Sequence, residues 1–164
     1  MKQIQNNYLL RLIKKEDSRR VWEIRNHPLV RQNSNNPEVI PLEKHQEWFE
    51  KRYFSHNDNH CLVLENEKKE AIGYCRFDFS EKDNVYIISI ALDPNYHGRG
   101  LGNQLLNGAL QEFNSDKDIL AEIKKDNISS IKLFEKNNFK TYKKDKANYY
   151  LKHDKKNVFT KRKI

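Results

Sequence analysis

The sequence predicts one α/β domain, a mixed and mostly antiparallel sheet flanked by helices. Three observations carry that expectation. Apolar residues recur at helical spacing in four stretches and as short β-type runs between them. Three of the five glycines fall together, at Gly98, Gly100 and Gly102, between a strand end and a helix start. The chain has 164 residues, enough for one substantial apolar core and too few for two ordinary domains, and no repeat or Gly/Ser/Pro-rich linker divides it.

Leu9, Leu10, Leu12 and Ile13 mark an opening strand, and 14–18 reads as a turn and helix cap. A helix then carries Val21, Trp22 and Ile24 inward and stops at His27-Pro28, because the residue before proline avoids helical geometry. The Asn-rich stretch 31–41 reads as a loop. A second helix over 42–54 sets His45, Trp48, Phe49 and Arg52 three and four residues apart. Segments 61–65, 71–79 and 85–92, separated by polar turns, read as an antiparallel meander. After the glycine cluster comes an amphipathic helix presenting Leu101, Leu105, Leu106, Ala109, Leu110 and Phe113, then a strand over 119–123, a helix over 127–137 and a closing hairpin of 139–142 and 148–151.

Composition narrows the class. The net charge of +8, with 33% charged residues, favours anionic partners without choosing among phosphates, coenzymes and nucleic acid. No basic stripe with interleaved aromatics points to direct nucleic-acid reading. Cys61 and Cys75 lack zinc-ligand spacing, so reduced core thiols and no metal are expected. The longest apolar run, 87–92, is far too short for a membrane span, and the N-terminus lacks a cleavage pattern; a cytoplasmic protein is expected. A domain over 1–152 followed by a basic, solvated tail over 153–164 completes the layout.

Glycine tolerates positive φ and lets backbone N–H groups converge on an anion at a helix N-terminus. A pyrophosphate suits the segment His97-Gly98-Arg99-Gly100-Leu101-Gly102, and Arg99 can add a charge-assisted contact. A Walker loop is excluded because Gly-Lys-Ser/Thr is absent. A dinucleotide fingerprint fails because Asn103 stands where its third glycine belongs, and because the preceding strand sits in a meander.

The remaining pattern, Ile90-Ala91-Leu92-Asp93-Pro94-Asn95-Tyr96-His97-Gly98-Arg99-Gly100, resembles the coenzyme motif of the GNAT acetyltransferase superfamily, with His97 where relatives usually carry Gln or Arg. Residues 127–139, from Asn127 through Ser130 and Phe134 to Phe139, resemble the family's second signature. The resemblance implies acetyl-CoA as co-substrate, held by Ile90, Ala91, Leu92, His97, Gly98, Arg99, Gly100, Leu101, Gly102, Asn127, Ser130 and Phe134. Asn is also a common helix cap, which is the plain reading of Asn127.

The implied reaction is attack of a neutral amine on the thioester, with the carbonyl oxygen held by a backbone N–H near Ala91 and Leu92. Phe134 replaces the tyrosine that relatives use as general acid. Tyr142, Tyr86 or water then gives the proton, or the thiolate leaves unassisted, since a thiol pKa of about 8.5 makes it a tolerable leaving group. Tyr86, Tyr142 and Asn127 are the catalytic candidates. Core packing is the competing reading of Tyr86.

The N-terminal half resembles nucleotide-sugar N-acetyltransferases of the pseudaminic acid pathway through Trp22, Arg25-Asn26, Arg31, His45 and Trp48-Phe49. That implies a nucleotide-linked amino-deoxysugar as acceptor. Arg25 and Arg31 are placed to hold a diphosphate, and His45 with Trp48 offers a polar contact and a stacking face. Plain alternatives remain: Trp22 and Phe49 as core, Arg25 as a helix C-terminal partner, Arg31 as solvated, and Trp48 as core or site. An acetyltransferase of protein N-termini, ribosomal ones included, and a coenzyme-binding module without catalysis are the alternative functions. The oligomeric state is open, a homodimer included.

Overall fold

The computed structural model describes residues 1–5, 7–55 and 58–155. Eight strands form one sheet: β1 (Lys2–Gln5), β2 (Tyr8–Leu12), β3 (His60–Glu65), β4 (Ala71–Ser80), β5 (Val85–Leu92), β6 (Ile119–Lys124), β7 (Phe139–Lys144) and β8 (Asn148–His153), in the order β1-β2-β3-β4-β5-β6-β8-β7. All neighbours are antiparallel except β5 and β6. Helices α1 (Ser18–Asn26) and α3 (Leu42–Phe54), joined through a four-residue α2 (Pro28–Arg31), cover one face; α4 (Leu101–Glu112) and α5 (Ile128–Lys136) cover the other.

Because β3 is covered on both sides, its side chains alternate between two cores. Leu62 and Leu64 join Leu105, Leu106 and Phe77 under α4, while Cys61 and Val63 join Val21, Ile24 and Phe49 under α1 and α3. Strand β4 carries a register shift: Leu64 opposes Gly73, but Glu65 opposes Ala71. The extra residue changes the phase of the alternation. Downstream of it Cys75 and Phe77 pack under α4, while Tyr74 packs under α1 and α3. Arg76 and Asp78, two and four residues on, share the face of Tyr74.

The other buried charges are paired. Arg11 holds Asp17 at 2.7 and 2.9 Å and also bonds Glu65, tying β2 to the turn before α1 and to β3. Arg20 bonds Asp93, which connects α1 to the segment following β5.

Three departures from the sequence reading have local causes. Strand β1 has no apolar alternation to announce it, its only apolar residue being Ile4; it forms as an edge strand through backbone pairing with β2, and Ile4 packs on the α4 core. The segment after His27 returns to helix instead of entering a loop at once, with Pro28 at the first helical position, where a missing N–H costs nothing, and His27 Nδ1 accepting from Leu29 N–H at 3.2 Å. Strand β8 continues through His153, one residue into the stretch read as tail, and residues 156–164 of that stretch lie outside the described residues. Among the described residues no helix is long and apolar enough to cross a membrane.

Candidate acetyl-CoA site

Strands β5 and β6 pair at only two positions, Tyr86 with Ile119 and Ile87 with Leu120. Beyond them the strands separate, since β5 stays paired with β4 out to Leu92 while β6 follows β8. The gap is a cleft of about 620 Å³. Its walls are Ile87 to Leu92 on one side and Ala121 to Ile123 on the other, with His97, Gly98 and Gly102 at the start of α4 and Asn127, Ser130, Leu133 and Phe134 from α5.

The glycine segment follows a 3-10 turn over Pro94–Tyr96. Gly98 and Gly100 have φ of +77° and +74°, and a Cβ at either would meet nothing within 4 Å. Glycine is therefore favoured there by backbone conformation and not by crowding. Gly100 is the N-cap of α4 and has no capping side chain, so the first N–H groups of a twelve-residue helix are left for an anion. Gly100→Ala is expected to strain the loop by about 1 kcal/mol and raise the acetyl-CoA Kd several-fold while α4 stays folded; isothermal titration with the coenzyme reads it, and an unchanged Kd rejects the cradle.

The structure brings together many of the residues singled out from sequence. Ile90, Ala91, Leu92, His97, Gly98, Gly102, Asn127, Ser130, Phe134 and Arg25 all line this cleft. His97 Nε2 lies 3.0 Å from the Leu92 carbonyl, so its ring ties the loop to the end of β5. Asn127 caps α5 by accepting from Ser130 N–H at 3.3 Å, which uses Oδ1 and leaves Nδ2 without a partner among the described residues. Phe134 is buried against Phe139, ring centroids 4.9 Å apart.

Others are elsewhere. Leu101 is a buried anchor of the α4 core. Arg99 lies over the Tyr96 ring at 5.1 Å and donates to the Asn95 carbonyl, outside the cleft lining. Tyr86 points under α4, edge-on to Phe113 at 4.7 Å, because even-numbered residues of β5 face that core. Tyr142 is half-exposed on edge strand β7. Neither tyrosine lines this cleft, and the packing reading of Tyr86 is the one the geometry supports. Arg31 spends its guanidinium on the carbonyls of Asn26 (2.9 Å) and Pro37 (3.1 Å), bracing the 32–41 loop.

A second cavity of about 460 Å³ lies under α1, α3 and that loop, lined by Val21, Arg25, Ser34, Asn36, Ile40, Lys44, His45, Trp48, Tyr74 and Arg76. Arg25, Ser34, Tyr74 and Arg76 border both cavities, so the two are contiguous. Tyr74 and Arg76 escaped the sequence reading. The available signal was Arg76 and Asp78, two charges two residues apart inside an otherwise apolar strand. Arg76 lies over Trp48 at 5.2 Å.

Electrostatics separate the roles. Burial pushes the Tyr74 phenol above its ordinary value, with Arg76 and Arg25 opposing. Burial likewise holds His45 below its usual range; a hydrogen bond to the Ser18 backbone opposes this and Arg76 adds to it. His153 is lowered by burial, and Lys155 adds to that. A histidine whose pKa is lower folded than unfolded takes up its proton first in the unfolded chain. Its contribution is thus complete above the ordinary value of about 6.5 and is lost as pH falls through and below it. The urea midpoint is expected to drop between pH 7.5 and 5.5, and His45→Gln to flatten that drop; an equally steep profile in the variant refutes the assignment.

The comparisons with known proteins agree with this geometry. No curated protein matches the sequence. An N-acetyltransferase from Staphylococcus aureus Mu50 superposes with a TM-score of 0.74 at 26% identity, over 91% of this chain and 99% of that one. AAC(6')-Ib, solved with ribostamycin and coenzyme A, gives 0.78 at 17% identity over 97% and 99%. The spermidine/spermine N-acetyltransferase SpeG from Vibrio cholerae gives 0.75 at 15% over 97% and 100%. The last two likenesses concern the fold alone. The model of the acetyltransferase (GNAT) family matches residues 18–139, well over half of the sequence. Together with the splayed β5–β6 cleft and the glycine-capped α4, this establishes that the chain belongs to the GNAT acetyltransferase family.

Proposed function

We propose that the chain transfers the acetyl group of acetyl-CoA to a primary amine seated in the second cavity, with the thioester lying where the two cavities meet. The observation that carries this reading is the shared border of Arg25, Ser34, Tyr74 and Arg76, which lets a donor and an acceptor be bound at once. Proximity of that kind supplies much of the rate in a direct transfer.

The diphosphate fits the start of α4, and the pantetheine arm fits the gap where β5 has lost its neighbour. Backbone N–H groups alternate in direction along a strand. Asp93 N–H donates to Ile72 O on β4 at 2.7 Å, so the Leu92 N–H faces the opposite side, toward the cleft. It is the donor for the carbonyl oxygen as charge develops there. The amine nitrogen attacks the thioester carbon, the C–S bond breaks with its electron pair leaving on sulfur, the thiolate takes the proton of a phenol at the junction, and the proton shed by the amine nitrogen returns to that phenolate. Tyr74 is the phenol at the junction; a phenol is protonated at neutral pH at its ordinary value of about 10, and burial raises that value further. It replaces Tyr86 and Tyr142 in the role.

The finer reading takes a nucleotide-linked amino-deoxysugar as acceptor. Arg25, His45 and Trp48 support it by lining the second cavity, whereas Arg31 offers it nothing. Purified protein given acetyl-CoA with a nucleotide-linked amino sugar, the free amino sugar, a polyamine and an N-terminal peptide is expected to release thiol with the first. Turnover of the peptide alone favours the protein-directed alternative, and tight coenzyme binding with no turnover anywhere favours a binding module.

A further inference from the structure

Buried polar groups are almost always partnered, so exceptions call for an explanation. Seven buried side-chain atoms lack a partner among the described residues, and three of them, Arg25 Nη1, Arg76 Nε and His45 Nε2, are on residues that line one cavity. His45 is 3% exposed and lines the second cavity. The rest of each side chain is tied down. Arg25 Nη2 donates to the Asn36 carbonyl at 2.6 Å, and Arg76 Nη2 reaches Ser89 Oγ at 3.4 Å and Asp78 at 3.6 Å. Asp78 is shared with Arg52 at 3.2 Å, so it does not cancel Arg76 in full. The cavity lining itself holds three cations, Arg25, Lys44 and Arg76, and no carboxylate. Burial lowers the Arg25 pKa; Tyr74 opposes this, and the nearby charges of Arg76 and Arg31 add to it.

We infer that Arg25 and Arg76, with Lys44 at the rim, form a seat for an oxyanion carried by the acceptor, so that the preferred substrate is an amine bearing a phosphate or a carboxylate. Guanidinium groups pair with either through charge-assisted, planar contacts. His45, a buried residue of the same lining whose Nε2 is unpartnered, fits a hydroxyl or amine of the acceptor instead of its anion. Trp48, half-buried and with its ring 5.2 Å from the Arg76 guanidinium, covers one face of that group. The inference rests on the second cavity being the acceptor site. It differs from the diphosphate clasp expected from sequence in using Arg76 from the sheet where Arg31 had been assigned.

The test is a titration of the coenzyme A complex, whose glycine loop is already filled, with inorganic pyrophosphate and separately with glutarate, followed by tryptophan emission. Saturable quenching by at least one of the two is expected, weakened about tenfold or more in Arg76→Met and in Arg25→Gln, each compared with wild type by circular dichroism to show that it folds. Pyrophosphate acting at lower concentration points to a phosphate-bearing acceptor, and glutarate to a carboxylate-bearing one. In turnover, an anionic amine is expected to exceed its uncharged counterpart by about tenfold or more in kcat/KM, and Arg25→Gln to shrink that ratio. Titration without saturation, or equal use of charged and uncharged amines by the wild type, overturns the seat. Absence of turnover with every amine counts against acetyl transfer and leaves the titration to judge the seat by itself.

Discussion

Tyr74→Phe is expected to lower kcat about a hundredfold, the lower end of the range for general acid–base groups, because a thiolate is a moderate leaving group that benefits from a proton without depending on it. The phenyl ring keeps the packing of Tyr74 against the α1 and α3 core, so stability is expected to change little. The KM for acetyl-CoA is expected to move by less than about threefold, since the hydroxyl acts on the transition state more than on the bound thioester. Tyr86→Phe and Tyr142→Phe are the controls. One hydroxyl sits beside Phe113 under α4 and the other on an exposed edge strand, and neither substitution is expected to alter kcat. Steady-state thiol release with all three variants decides the matter: an unchanged kcat in Tyr74→Phe, or a loss confined to Tyr86→Phe, removes Tyr74 from the chemistry.

The largest loss of stability is expected from Phe77→Ala. Phe77 is fully buried on β4 and stacks on Phe113 with ring centroids 4.0 Å apart, joining the sheet to the end of α4. Large-to-small substitution of a buried Phe costs about 3–5 kcal/mol, from lost transfer free energy and the cavity left behind. For a chain of this size that corresponds to a fall in Tm of about 6–20 °C. Because Phe113 closes α4 and Gly100 opens it, the cavity is expected to loosen the whole helix and so weaken coenzyme binding at its other end. Thermal unfolding with and without coenzyme A reads both effects. A drop of less than about 1 kcal/mol shows that the neighbouring rings collapse into the space.

The sequence by itself determined the order of the elements from β2 onward, α2 excepted, because helical and strand periodicities differ and Pro28, Asp93-Pro94 and the glycine cluster punctuate them. It also determined the place of the coenzyme loop, since positive φ at two positions two residues apart favours glycine at both. Side-chain direction was another matter. Tyr86, two residues into β5, could face either core until pairing with β4 and β6 set its side, and it faces α4. Tyr74 and Arg76 reach the junction of the cavities because a bulge after Ala71 shifts the phase of β4; Gly73 beside it is the local hint in AIGYCRFDFS, and only pairing with β3 fixes where the extra residue falls. Arg31 and Arg25 are both arginines on the same short stretch of chain. Only the return of the 32–41 loop decides that one braces backbone carbonyls while the other lines both cavities. Periodicity is a property of neighbours in sequence, whereas register, phase and loop return are set by contacts between residues tens of positions apart, and the acceptor pocket is built from those contacts.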